Sequence, residues 1–154
     1  MISLFALLIG IVAGLRAMTA PAAASWAARM GSASVGGTWL AFMGYAWTPL
    51  VLSLLAAAEL VTDQLPSTPS RKVPVQFATR ILMGALSGAV IGARGGSLGI
   101  GAVAGAIGAV LGTYGGAAAR AKLAAKFGGK DRPAAIIEDV VAIGGAALIV
   151  VLLP

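Results

Sequence analysis

Apolar residues fall into five long runs, and the short segments between them carry most of the charge. A helix that crosses about 30 Å of hydrocarbon needs about 20 mostly apolar residues at 1.5 Å rise per residue. That rule predicts spanning helices over about residues 2–28, 40–64, 77–93, 98–119 and 134–153. No run alternates between polar and apolar as a barrel strand does, and in lipid a helix satisfies its own backbone. The expected fold is all-α: a polytopic transmembrane helical bundle of about five helices, forming a single integral membrane domain over residues 1–154. A four-span variant, with the third and fourth segments as a re-entrant pair, is the alternative. The first apolar run continues past Leu15 into more apolar sequence, so no removable signal peptide is expected.

Composition supports a lipid environment, with 59% hydrophobic and 10% charged residues against about 25% charged in an ordinary soluble domain. The net charge of +6 does not point to nucleic acid, because the basic residues sit in loops between apolar runs and no basic stripe is interleaved with aromatics. With five spans, the loops 66–76 and 120–133 share the side of Met1. Together with Arg80 they hold eight basic residues, against Arg16, Arg29 and Arg94 on the other side. The positive-inside rule then predicts an N-in/C-out orientation. Cysteine and histidine are both absent, which removes disulfides, thiolate nucleophiles, imidazole bases and the usual zinc, haem and iron–sulfur ligands. No cofactor and no metal are expected.

Glycines recur every four residues at Gly84, Gly88 and Gly92, and again at Gly101 and Gly105, then Gly108, Gly112 and Gly116. Small residues at this spacing let helix backbones approach closely. The bland reading is tight packing; the alternatives are a glycine-lined pore or a dimer face, and a homo-oligomer is expected because small Ala- and Gly-rich helices enclose little volume. A weak internal similarity links residues 9–14 with 107–112. In a five-helix bundle these segments would run in opposite directions, as inverted repeats of transporters do.

Arg16 is the most informative position. A helix ending before it would cover only about 22 Å, so the first helix is expected to continue through Ala28, bending at Pro21, with Trp26 and Arg29 as interfacial anchors. Arg16 then lies within the hydrocarbon, at a cost of about 2.5 to 3.5 kcal/mol unless it snorkels or finds a partner. The candidate partners are Glu59 and Asp63, one turn apart on the second helix with Thr48 near the same face, and Glu138 and Asp139 on the fifth. Each pair has a bland role as well. Glu59 and Asp63 can mark an interfacial helix end beside Arg71, Lys72 or Arg80, and Glu138 and Asp139, just after Pro133, can complement a helix N-terminus. The segment 65–74, rich in Pro and hydroxyl residues, is expected to be a stiff linker or a gate.

Three segments together, Gly14–Pro21, Ala58–Pro66 running on to Pro69-Ser70-Arg71, and Ile137-Glu138-Asp139, resemble a family of small bacterial membrane proteins, domain of unknown function 4126. The resemblance covers essentially the whole chain. It implies that Arg16, Thr19, Glu59, Asp63, Pro66, Arg71, Glu138 and Asp139 occupy the family's characteristic positions, and that the protein resides in a bacterial cytoplasmic (inner) membrane. It implies no activity.

Intramembrane ionisable residues mark a transport pathway by default. The leading expectation is an oligomeric transporter or channel for a small ion or solute, with Arg16, Thr19, Glu59, Asp63, Arg71, Glu138 and Asp139 as its binding residues. The alternative is a scaffold whose charges pair only with one another and with lipid headgroups. No nucleophile–base constellation is present, so no enzyme is expected.

Overall fold

In a computed structural model, which describes residues 1–63 and 70–154, the chain is all-helical. Its α-helices are α1 (Ile2–Leu15), α2 (Thr19–Arg29), α3 (Thr48–Thr62), α4 (Pro74–Ala93), α5 (Leu98–Lys126) and α6 (Asp131–Leu152), with a 3-10 turn over Trp39–Gly44 between α2 and α3. The three long helices α4, α5 and α6 are long and apolar enough to cross a membrane, and α1 and α3 are shorter apolar helices. The protein is therefore an integral membrane protein by the length and composition of its helices.

The expected first helix, 2–28, is two helices. Pro21 explains the break. It lacks the amide that would bond to the carbonyl of Ala17, and its ring would clash with that carbonyl, so running a helix through residues 17–21 costs about 3 kcal/mol. The chain instead leaves α1 at Arg16, which is extended at φ −137°, and restarts at Thr19, placing Pro21 in the first turn of α2 where its missing donor costs nothing. The expected second helix, 40–64, is also divided, its N-terminal part becoming the 3-10 turn. Thr48 starts α3 and its hydroxyl donates to the carbonyl of Phe42 at 2.6 Å. It lies eleven residues from Glu59, or about 16 Å at the helical rise, so it does not belong to the acidic stripe. Gln64, Pro66 and the expected stiff linker as far as Pro69 lie outside the described residues.

Contacts at the helix ends fix the direction of each element. At one end, Arg94 Nη1 donates to the carbonyl of Ser32 at 2.8 Å, and Gly95 lies against the side chain of Ile2. At the other end Arg16, Asp63, Arg71 and Glu138 come together. Residues 1–2, 32 and 94–97 thus share one end, and each α-helix runs opposite to the one before it. This differs from the five-helix expectation, in which Met1 shares a side with the basic loops: Met1 lies at the end opposite to Arg71 and Arg120.

The centre of the bundle is a glycine seam between α5 and its neighbours α4 and α1. A methyl group on Gly105 would fall within 3 Å of the backbone of Gly84 and Gly88, and one on Gly108 within 3 Å of the backbone of Ile11. Gly84, Gly88 and Gly92 of α4 are all consumed this way against α5. They are packing glycines inside one chain, so they supply no dimer face. The two similar segments, 9–14 and 107–112, turn out to be partners in this seam. Gly10 meets Gly105, and Gly14 meets Ala109, Gly112 and Thr113, so α1 and α5 run parallel. They are not related as an inverted repeat, because the break at Arg16 adds a helix and reverses every later direction. All three tryptophans lie in or just after α2, and Trp39 and Trp47, with Tyr45, are among the most exposed large side chains. Such aromatic rings suit the headgroup level.

Candidate functional site

The break between α1 and α2 leaves backbone groups that no helix satisfies. The last carbonyls of α1 and the first amides of α2 need outside partners, and side chains of α3 and α4 supply them. The Glu59 carboxylate, on α3, accepts from the amides of Ala17 and Met18, through Oε1 and Oε2 at 2.8 Å each. Arg80, on α4, donates from Nη1 to the carbonyls of Gly14 at 3.1 Å and Leu15 at 2.8 Å. Both charges agree with the helix dipoles, since an anion caps the positive N-terminus of α2 and a cation the negative C-terminus of α1. Arg80 Nη2 also faces Glu59 at 3.8 Å and Asp63 at 3.6 Å.

Arg16 projects from the break into the bundle and is fully buried. It bonds Asp63 on α3 and, through Nε at 2.6 Å, Asp139 Oδ1 on α6. Four elements therefore meet at one guanidinium. The alternative in which Arg16 snorkels is excluded by its burial between two carboxylates.

The cluster continues toward the end of the molecule. Arg71, just before α4, pairs with Glu138 through two parallel hydrogen bonds, the second from Nη2 at 2.7 Å, the fork geometry that makes Arg–carboxylate pairs strong. Arg120 reaches Glu138 Oε2 at 3.2 Å and holds Asp131 through Nε at 2.9 Å and Nη2 at 2.5 Å. Gly116 makes room for the inner pair: a Cβ there would lie 3.1 Å from Arg71 Nη1 and 3.2 Å from Glu138 Oε1. Every one of the five acidic residues of the chain faces one or more of the guanidinium groups of Arg16, Arg71, Arg80 and Arg120.

Six of the seven residues singled out from sequence fall in two adjacent ionic groups, Arg16, Glu59, Asp63 and Asp139 in one and Arg71 and Glu138 in the other, which meet at the neighbouring residues Glu138 and Asp139 of α6. The seventh, Thr19, is the first residue of α2, beside the two amides that Glu59 caps, and is 7% exposed. Its hydroxyl has no hydrogen-bond partner among the described residues. Arg80, expected only as a topology charge and as one possible neighbour of an interfacial Glu59–Asp63 end, does face both carboxylates; Arg120 is expected from the sequence only as a loop charge, and Asp131 is not singled out. Arg80 carried a usable signal, since it falls inside the third apolar run, where a charge needs a partner. The reading of Glu138 and Asp139 as complements of a helix N-terminus does not describe their contacts. Asp131 occupies the first turn of α6, while the other two face Arg71 and Arg16. Among the described residues, no group of three or more acidic side chains is placed to hold a metal ion.

No protein-family model, curated protein or solved structure matches this chain.

Proposed function

We propose that this chain is a small transporter or channel of the bacterial cytoplasmic membrane, a member of the uncharacterised family it resembles, and that the α1–α2 break is its polar site. The observation that carries this reading is the interrupted helix: an unwound segment at Arg16–Met18 whose Ala17 and Met18 amides, with the Gly14 and Leu15 carbonyls that end α1, are held by charged side chains of two other helices. Discontinuous helices whose half-helix ends meet charged groups are how many transporters build ion and solute sites. Irregular backbone at membrane depth is tolerated only where it is buried in protein or lines a cavity. The charged end carries Arg71, Lys72, Arg120, Lys122, Lys126, Lys130 and Arg132. The positive-inside rule then puts that end in the cytoplasm and both termini outside.

Currents on solid-supported membranes, screened across protons, alkali cations, halides, phosphate and small carboxylates, test the proposal. Wild type is expected to give a current that Glu59→Gln or Arg80→Gln alters. Currents equal to those of empty liposomes would end the transport reading. They would favour a second one, for which the complete internal pairing of the five carboxylates is the supporting observation: a scaffold whose ion pairs only lock the helices together.

A further inference from the structure

The Glu59 carboxylate occupies a position that resembles an anion site. The amides of Ala17 and of Met18, the residue that caps the eleven-residue helix α2, point at it, and Arg80 stands beside it. Helix N-termini with a nearby guanidinium bind carboxylates and oxyanions readily. Two further groups at the same place are unspent. The Thr19 hydroxyl follows directly on the amide of Met18, and Arg80 Nε belongs to the guanidinium that faces Glu59. Thr19 and Arg80 are 7% and 3% exposed, and neither atom has a hydrogen-bond partner among the described residues. Buried donors and hydroxyls are nearly always bonded, so an orphan hydroxyl on the residue next to a capped amide and an orphan donor on the guanidinium that faces Glu59 mark a site with more binding capacity than Glu59 uses.

We infer that Glu59 is a built-in substitute for an exchangeable ligand, and that the α2 N-terminus, Thr19 and Arg80 form a binding site for a small carboxylate or oxyanion that displaces it. The inference deepens the transport reading and rests on it for the site's purpose. Charge balance dictates a partner ion. Five carboxylates already face four guanidinium groups, and one more anion is balanced when the displaced carboxylate takes up a proton. Glu59 is the carboxylate that loses its two amides. The charged groups facing it are Arg80 from α4 and Asp63 on its own helix, with Arg16 beyond Asp63 and Asp139 of α6 beyond Arg16. The exchange is therefore one monovalent anion bound and one proton bound at Glu59, with no bond made or broken other than that O–H.

The test is a thermal-unfolding titration of the purified full chain in mild detergent with sodium formate, acetate and phosphate, against sodium chloride at equal ionic strength and pH. Tryptophan emission is the readout. Wild type should show a saturable rise in Tm with at least one of the three that chloride does not give, and a weakly buffered dye should report proton uptake with it. Glu59→Gln removes the internal competitor, which acts at an effective concentration in the millimolar range, and should bind about tenfold more tightly. Thr19→Val keeps shape and both caps and should bind about tenfold more weakly, the effect of one lost hydrogen bond. A Glu59→Gln protein that does not fold leaves the wild-type and Thr19→Val titrations to decide. No saturable shift in wild type or Glu59→Gln would overturn the inference, and so would binding undiminished by Thr19→Val. Cation currents without anion binding would overturn this inference while leaving transport standing; anion binding without any current would remove transport and leave the site.

Discussion

At Arg16, a full positive charge has been taken out of water and given two carboxylates from two different helices. Removing one member of a buried ion pair leaves the other charge uncompensated, which costs about 3 to 5 kcal/mol, against about 0 to 1 kcal/mol for an exposed pair. Arg16→Ala is therefore expected to lower stability by that larger amount in unfolding from mixed micelles, with Asp63→Asn or Asp139→Asn in the same background recovering part of it. Double-mutant cycles should give coupling for Arg16 with Asp63 and with Asp139. They should give near-additivity for Arg16 with Asp131, whose only guanidinium partner among the described residues is Arg120. Additivity throughout would mean that the ion pairs are not formed in solution. That Arg16 needs an acidic partner was legible in the sequence, because an Arg inside an apolar run has few alternatives. Which acid it takes was not, since the choice depends on helix directions that a charge pattern does not encode. Glu59 illustrates the limit: it serves backbone amides, a role visible only once the helix is known to break.

At the scale of elements, all five apolar runs are helical, but the first two, expected as single helices, are each divided. The width of the bilayer favours a first helix that continues past Leu15, whereas Pro21 disfavours it, and the chain breaks at Arg16. Local sterics won because charged side chains from α3 and α4 satisfy the backbone groups that the break exposes. The glycine spacing was readable as close packing, and the structure shows what it packs: α5 carries one glycine set toward α4 and another toward α1. Gly105 lies where both seams meet. Gly105→Ala should destabilise by about 1 to 3 kcal/mol, since the added methyl meets backbone that has no side-chain freedom to yield. Gly99→Ala, in the same helix with nothing within 4 Å of where its Cβ would stand, is the control and should be neutral or stabilising by up to about 1 kcal/mol, the difference in helix propensity. Equal effects of the two substitutions in equilibrium unfolding would show that the seam is not close-packed. The oligomer expectation leaned on Gly84, Gly88 and Gly92, and those positions are spent within the chain.

For the whole molecule, the decisive quantity is whether the number of crossings is odd or even. Five spans put the termini on opposite sides; six alternating helices put them on the same side, the side of residues 32 and 94–97. The chain has no cysteine, so single cysteines report accessibility without background. Ser34 is exposed in the segment after α2, and Lys122 is exposed near the C-terminal end of α5 among the basic residues. In right-side-out spheroplasts, Ser34→Cys and a cysteine appended after Pro154 are expected to react with a membrane-impermeant maleimide. Lys122→Cys should react only after permeabilisation, because lysines and arginines concentrate at its end and are retained in the cytoplasm. The discriminating measurement is a cysteine placed before Ile2. The six-helix arrangement has it labelled together with the C-terminal cysteine, and the five-helix arrangement has the two labelled from opposite faces. If the N-terminal and C-terminal cysteines reacted from opposite sides, α1 and α2 would have to form one crossing in the membrane. The amides of Ala17 and Met18 would then be inside a continuous helix, and the site at the break, with the anion chemistry inferred for it, would not exist.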